Sequence, residues 1–167
     1  MFELETEERY EIWGGEKLMM TPSSSEHSLI TANLLILIGQ YVKKNQLGKV
    51  FNSEVPIYLH GNLMNKDFRL ADISFISIER VDIVQSKGIY GPPDLIVEVL
   101  SSGKSNIERD RVEKFQLYEK YGVQEYWIVQ PYEEKVEIFS LENNRYIQID
   151  QSRVLTGIEL RKEDIFE

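Results

Sequence analysis

The chain of 167 residues contains no cysteine. That excludes a disulfide framework, a thiolate metal site and a cysteine nucleophile, and it suits a cytoplasmic protein. Histidine is scarce too, at positions 27 and 60 only, which argues against a zinc site. No long apolar run is present: the richest stretch, residues 29–38, is interrupted by Thr31 and Asn33. It falls well short of the roughly 20 residues of a membrane span and reads as a buried helix. The first residues carry Glu3, Glu5, Glu7 and Glu8 where an export signal would need a basic start and an apolar run. Basic residues are outnumbered, with 19 Lys and Arg against 28 Asp and Glu and a formal charge of −9. Such a balance disfavours broad adhesion to phosphate backbones. It remains compatible with a carboxylate cluster whose charge bound cations would offset.

What the chain does have is enough to fold. A hydrophobic fraction of 42% and a charged fraction of 28% are those of an ordinary globular protein, and the length suits one domain over residues 1–167. Gly14-Gly15 between two alternating segments predicts an N-terminal hairpin. Ser23-Ser24-Ser25-Glu26 matches a capping box. Ile30, Leu34, Leu37, Ile38 and Tyr41 follow at helical spacing, predicting a helix over residues 25–45 that Gly48 would close. Residues 49–60 and 68–78, rich in β-branched and aromatic side chains, read as adjacent strands joined by a turn at residues 61–66. Residues 79–91 read as a connection. After Pro92-Pro93 comes an almost continuous apolar run, residues 94–100, with the character of a doubly covered central strand. A turn at residues 101–104 and a second capping box, Ser105 with Glu108, open a helix over residues 106–121 that Gly122 ends. Strands over 123–130, 135–141 and 145–150 follow, the last two forming a C-terminal hairpin around Asn143-Asn144.

The chemistry lies in acids placed where apolar residues belong. Side chains alternate along a strand, so Asp94, Ile96, Glu98 and Leu100 share one face and Leu95, Val97 and Val99 the other. Asp72 interrupts the apolar run 70–76 in the same way. A carboxylate removed from water costs several kcal/mol unless it is paired, protonated or bound to a metal. If the strand holding Asp72 runs antiparallel to the central strand, Asp72 comes toward Glu98. Carboxylate oxygens plus water are what Mg²⁺ or Mn²⁺ prefers. Lys114, two turns into the returning helix, would reach the acids and steady charge on a phosphate. A purely structural reading stands beside this one: Asp94 capping the turn after the prolines, and Asp72 and Glu98 in buried salt bridges with Arg109, Arg111 or Lys114.

The residues 93–101 (PDLIVEVLS), Arg109-Asp110, Lys114, Tyr118 and residues 122–129 (GVQEYWIV) resemble the Uma-type endonuclease family, bacterial proteins placed in the PD-(D/E)xK nuclease superfamily. The resemblance runs from about Tyr10 to Gly157. It implies an α/β, restriction-endonuclease-like fold: a mixed central sheet flanked by helices. It also implies a Mg²⁺-dependent phosphodiesterase site. On that mapping Asp72 is the first acid, Glu98 the acid of the central strand and Asp94 an additional family acid. Leu100 occupies the usual lysine position and Lys114 looks like its displaced replacement. Ala71 stands in place of a common proline, and Gln130 in place of an aspartate. Similar proteins carry an acid or histidine near the start of the first helix. Here Glu26 reads as a cap, His27 as a candidate for steadying the site from behind the ligands, Glu54 as a weaker candidate and His60 as a loop residue.

The expectation is therefore a Mg²⁺- or Mn²⁺-dependent endonuclease acting on nucleic acid, DNA by analogy, with Asp72, Asp94 and Glu98 as metal ligands and catalytic residues, and Lys114 as the catalytic cation. The alternatives are a non-catalytic binding or assembly module that keeps the fold, and a metal-dependent hydrolase of a smaller phosphorylated molecule. The aromatic residues Tyr126, Trp127, Tyr132, Phe139 and Tyr146 on the last strands suggest a homodimer face. No membrane association is expected.

Overall fold

The computed structural model describes residues 8–62, 64–101 and 108–167. Residues 102–104 of the predicted turn at 101–104, the Ser105 cap and the acidic residues before Glu8 lie outside that set. At its centre six strands pair side by side. In chain order they are β3 (Gly48–Asn52), β5 (Ile73–Ser77), β8 (Leu95–Val99), β9 (Glu125–Gln130), β10 (Lys135–Glu142) and β11 (Arg145–Ile149). Across the sheet the order is β11-β10-β9-β8-β5-β3. β8 and β9 are parallel, whereas β8 and β5 are antiparallel, so the sheet is mixed as expected. A parallel pair needs a crossover; here it passes through a helical segment that returns onto one face.

β8 is buried at all five positions because helical and loop layers cover both faces of the sheet. Leu95, Val97 and Val99 join one core cluster with Ile30, Leu34 and Ile38, while Ile96 and Leu100 join another with Tyr118 and Tyr126. The first cluster lies under α1 (Ser25–Asn45), whose buried face is His27, Ile30, Leu34, Ile38 and Val42. Its ends differ from expectation. The N-cap is Ser24, whose Oγ accepts the His27 amide, so Glu26 sits one position too early to complete a capping box. The C-terminal end turns through Gln46 at φ 54°. Gly48 instead opens β3, where an added Cβ would lie 2.0 Å from the Ile76 carbonyl oxygen.

The expected strand over 49–60 splits. Its first part pairs with β5, while β4 (Ile57–Tyr58) joins β6 (Val84–Gln85) and β7 (Gly88–Tyr90) in a small separate sheet. The region read as a plain connection thus supplies a 3-10 turn, Ile78–Ile83, and this hairpin. Both predicted hairpins form: β1 (Tyr10–Trp13) with β2 (Glu16–Met19), and β10 with β11 through Asn143 and Asn144 at φ 48° and 61°. A short C-terminal helix, Lys162–Phe166, was not anticipated; its Ile165 is buried in the α1 cluster.

The aromatic residues of the last strands are mostly used inside the chain. Tyr126 and Trp127 are fully buried, and Phe139 and Tyr146 each pack edge-on against Phe115 with ring centroids 5.0 Å apart. Among the five only Tyr132 is fully open to solvent. The excess aromatic surface invoked for a dimer is therefore an internal cluster. Among the described residues no helix is long and apolar enough to cross a membrane.

Candidate active site

The register of β5 against β8 pairs Ile73 with Val97. One step further along the antiparallel ladder, Asp72 lies beside Glu98. Asp72 Oδ2 accepts the Val99 amide at 2.8 Å, so the acid is tied to the strand that carries its neighbour. Glu98 is 3% exposed and its Oε1 accepts two hydrogen bonds of 2.9 Å, from Lys114 Nζ and from the Tyr118 hydroxyl. Lys114 and Tyr118 are four residues apart on one helical face. Lys114 closes a π-helical stretch, Arg109–Lys114, that runs directly into α2 (Phe115–Tyr121). Six residues of π-helix are unusual, and such widened turns recur where a side chain is aimed into a site. Burial and the negative Glu98 carboxylate hold the Tyr118 hydroxyl well above its ordinary pKa, so it stays protonated and donates.

On the other side, the Ser24 cap fixes the first turn of α1 and brings His27 Nε2 to 3.2 Å from Asp72 Oδ2. Asp72, Glu98, Lys114 and His27 line one small cavity of about 50 Å³, together with Arg9, Ser23 and Ser101. Two acids, a lysine and a histidine from four separate segments of the sequence thus meet at one end of the central strands.

Asp94 is not with them. Its carboxylate accepts the Ser77 amide at 2.8 Å and Arg80 Nη1 at 3.1 Å, and it faces a different cavity beside Phe75 and Ile78. Four residues of strand, about 13 Å, separate it from Glu98 along the chain. Both share a face of the strand, but they sit at its opposite ends. Asp94 thus lies apart from the cavity that Asp72 and Glu98 line, where the three acids were expected together. Glu26 and Glu54 are exposed. His60 is a turn residue: Nδ1 accepts the Asn62 amide, which leaves Nε2 to donate to the Asp67 carbonyl. Arg111, considered as a partner for the buried acids, pairs with Glu137.

No group of three or more acid or histidine side chains among the described residues is arranged to hold a metal ion. The donor set nevertheless suits Mg²⁺ in its usual protein form, one or two carboxylates with water completing the shell. Asp72 Oδ1 has no hydrogen-bond partner among the described residues, so an oxygen of the first acid is available there. Asp72 and Glu98 would be the protein ligands.

The expected site residues did not include Tyr118 as a donor to Glu98, nor Arg9 in the cavity wall. They also did not include a further buried acid, Glu125. Glu125 is wholly buried, and its carboxylate accepts Trp127 Nε1, Ser152 Oγ and the amides of Arg153 and Val154. Four donors leave it no spare capacity, and it locks the C-terminal segment onto β9. An acid heading an apolar run, as Asp94 does, is the pattern that would have flagged it as well.

The structure resembles a solved protein described as "a putative nuclease belonging to DUF820" from Anabaena variabilis. The TM-score is 0.73 at 18% sequence identity, over 96% of this chain and 91% of that one. Identity that low speaks to the fold. Comparison with curated proteins gives no match. The sequence profile of the Uma2 family, described as "Putative restriction endonuclease", matches residues 1–165. With that span and this shared architecture, the chain belongs to the Uma2 family of restriction-endonuclease-like proteins.

Proposed function

We propose that this chain hydrolyses phosphodiester bonds of nucleic acid, DNA foremost, with Mg²⁺ or Mn²⁺ held by Asp72 and Glu98. One observation carries the reading: Asp72, Glu98 and Lys114 converge on a single cavity from the segment entering β5, from β8 and from the returning helix. When bound, the cation would supply Lewis-acid stabilisation of charge on the phosphoryl oxygens. Asp72 is oriented for this by the Val99 amide and by His27. The Lys114 ammonium, fixed by Glu98, provides a positive charge beside the reacting phosphate, and it needs no reorganisation as charge grows there. Tyr118 donates to the same Glu98 oxygen as Lys114 and helps hold that carboxylate in place.

The test is cleavage of supercoiled and single-stranded DNA with Mg²⁺ or Mn²⁺, run beside Glu98→Gln. Metal-dependent nicking that the variant lacks is the expected result. A wild-type protein that neither cuts DNA nor binds either cation would overturn it.

A second reading, a non-catalytic module, draws on the closeness of the Lys114–Glu98 ion pair, whose side chains are each 4% exposed. It predicts a fold stabilised by that pair and indifferent to Mg²⁺, which a thermal melt with and without the cation separates from the first.

A further inference from the structure

The strongest unexplained feature lies on the other side of the chain segment that carries Asp72. Arg69 is 4% exposed. Its Nη1 donates to the carbonyls of Ile12 and Phe68, while Nε is buried with no hydrogen-bond partner. No acid lies within ion-pair distance of it among the described residues. A buried guanidinium without a counter-ion is costly. Burial lowers its pKa, and the nearby Glu11 opposes this only in part, since Glu11 Oε1 is committed to the Leu70 amide.

Arg69 forms part of the wall of a cavity of about 190 Å³, along with Lys120, Trp13, Leu117 and Tyr121. Lys120, exposed on α2, likewise has no acid within ion-pair distance among the described residues. The acid on the rim, Asp67, spends its two oxygens on the amides of Gly14 and Gly15 at 2.8 and 2.9 Å. The guanidinium stacks on the Trp13 ring, 3.8 Å from its centroid, which fixes its plane. Two cations, neither in an ion pair among the described residues, thus line one cavity large enough for a tetrahedral oxyanion, with Glu11 and Asp67 offsetting part of the Arg69 charge.

We propose that this cavity is a phosphate subsite that takes a backbone phosphate of the polymer away from the bond being cut. This deepens the nuclease reading and rests on it for the identity of the polymer. Lys114 and Lys120 lie on one continuous helical segment, six residues or about 9 Å apart along its axis. That is roughly three steps of a stacked strand. Tyr118 stands between them, touching Glu98 and electrostatically coupled to Arg69. The substrate would be an extended strand spanning both cavities, and a mononucleotide could occupy only one of them.

Binding is measured without divalent cation, through the fluorescence of Trp13, with Trp13→Phe to assign the signal. The titrants are inorganic phosphate, a dinucleotide and a single-stranded octanucleotide. A saturable change is expected, with the octanucleotide binding about tenfold or more tighter than phosphate. In Lys120→Gln, an exposed substitution that does not endanger folding, octanucleotide affinity should fall and the slope of log K against log salt should shrink by about one. The proposal is overturned if Trp13 responds to none of the titrants, if phosphate binds as tightly as the octanucleotide, or if Lys120→Gln keeps the wild-type affinity and slope. Because no metal or cleavage enters this measurement, failure of the nuclease reading would show in the DNA assay and leave this result standing.

Discussion

Asp94 and Glu98 stand at the two ends of the same central strand, on the same face and both nearly out of reach of water. At the Asp94 end the carboxylate meets a backbone amide and an arginine from the chain leaving β5, and the other acid lining its cavity, Glu79, is exposed. The acid closes a joint between two segments. At the Glu98 end the carboxylate meets a lysine and a tyrosine from the returning helix, with Asp72 on the adjacent strand position and a cavity in front. Burial flags both acids equally. What separates a structural acid from a chemical one is what else shares its surroundings: at Glu98, a carboxylate on the adjacent chain segment and a buried lysine and tyrosine that both donate to it.

The widest contrast is chemical. Asp72→Asn and Glu98→Gln each remove one of the charges that would hold a cation, and each should lower DNA cleavage about a thousandfold or more. Single-turnover rates at saturating Mg²⁺ measure this; either variant cutting at near wild-type rate would remove the distinction between the two ends.

Lys114→Met comes next, because this lysine belongs to both chemistry and packing. Turnover should fall about a hundredfold. Stability without metal should also fall by about 3 kcal/mol, since Glu98 would be left buried with its positive partner gone. Mg²⁺ should restore much of that loss by linkage. Melts with and without Mg²⁺ beside the cleavage assay read both effects, and wild-type behaviour in both would make Lys114 an incidental helix lysine.

Glu125 provides a control for burial without chemistry. Glu125→Gln presents an NH₂ group where one of the donors now points, and should cost about 3 kcal/mol. Cleavage per folded molecule should stay within a few-fold of wild type. Urea denaturation midpoints and active-site titration distinguish this from a variant that loses activity while fully folded, which would place Glu125 in the chemistry.

Much of this arrangement was legible in the residues. The span of α1, the central strand, both hairpins and the pairing of Asp72 with Glu98 follow from periodicity, turn glycines and asparagines, and the cost of burying acids. What stayed hidden depends on partners distant in sequence. β4, β6 and β7 are two or three residues long and exist because Ile57 pairs with Ile89 and Val84 with Ile89; nothing local announces them. Strand alternation says which face Asp94 occupies but not which end of the sheet meets Arg80. Arg69 precedes an apolar run as an ordinary basic residue would, and only the fold shows it buried against the Trp13 ring in the wall of a cavity.

The smallest expected effect tests the comparison most directly. Asp94→Asn keeps an oxygen to accept the Ser77 amide and removes only the charge that meets Arg80, whose side chain is one-third exposed. An ion pair with one partner in contact with water contributes little, so the loss should be about 1 kcal/mol. Because Asp94 faces a separate cavity, the cleavage rate and the Mg²⁺ dependence of the variant should match wild type within a factor of about two. Thermal melts and a Mg²⁺ titration of cleavage, run on the same preparation, give both numbers. If Asp94→Asn instead loses cleavage to the extent of Glu98→Gln while melting near the wild-type temperature, Asp94 acts on the substrate or its metal. The two ends of the central strand would then have to come together in a state of the protein different from this one.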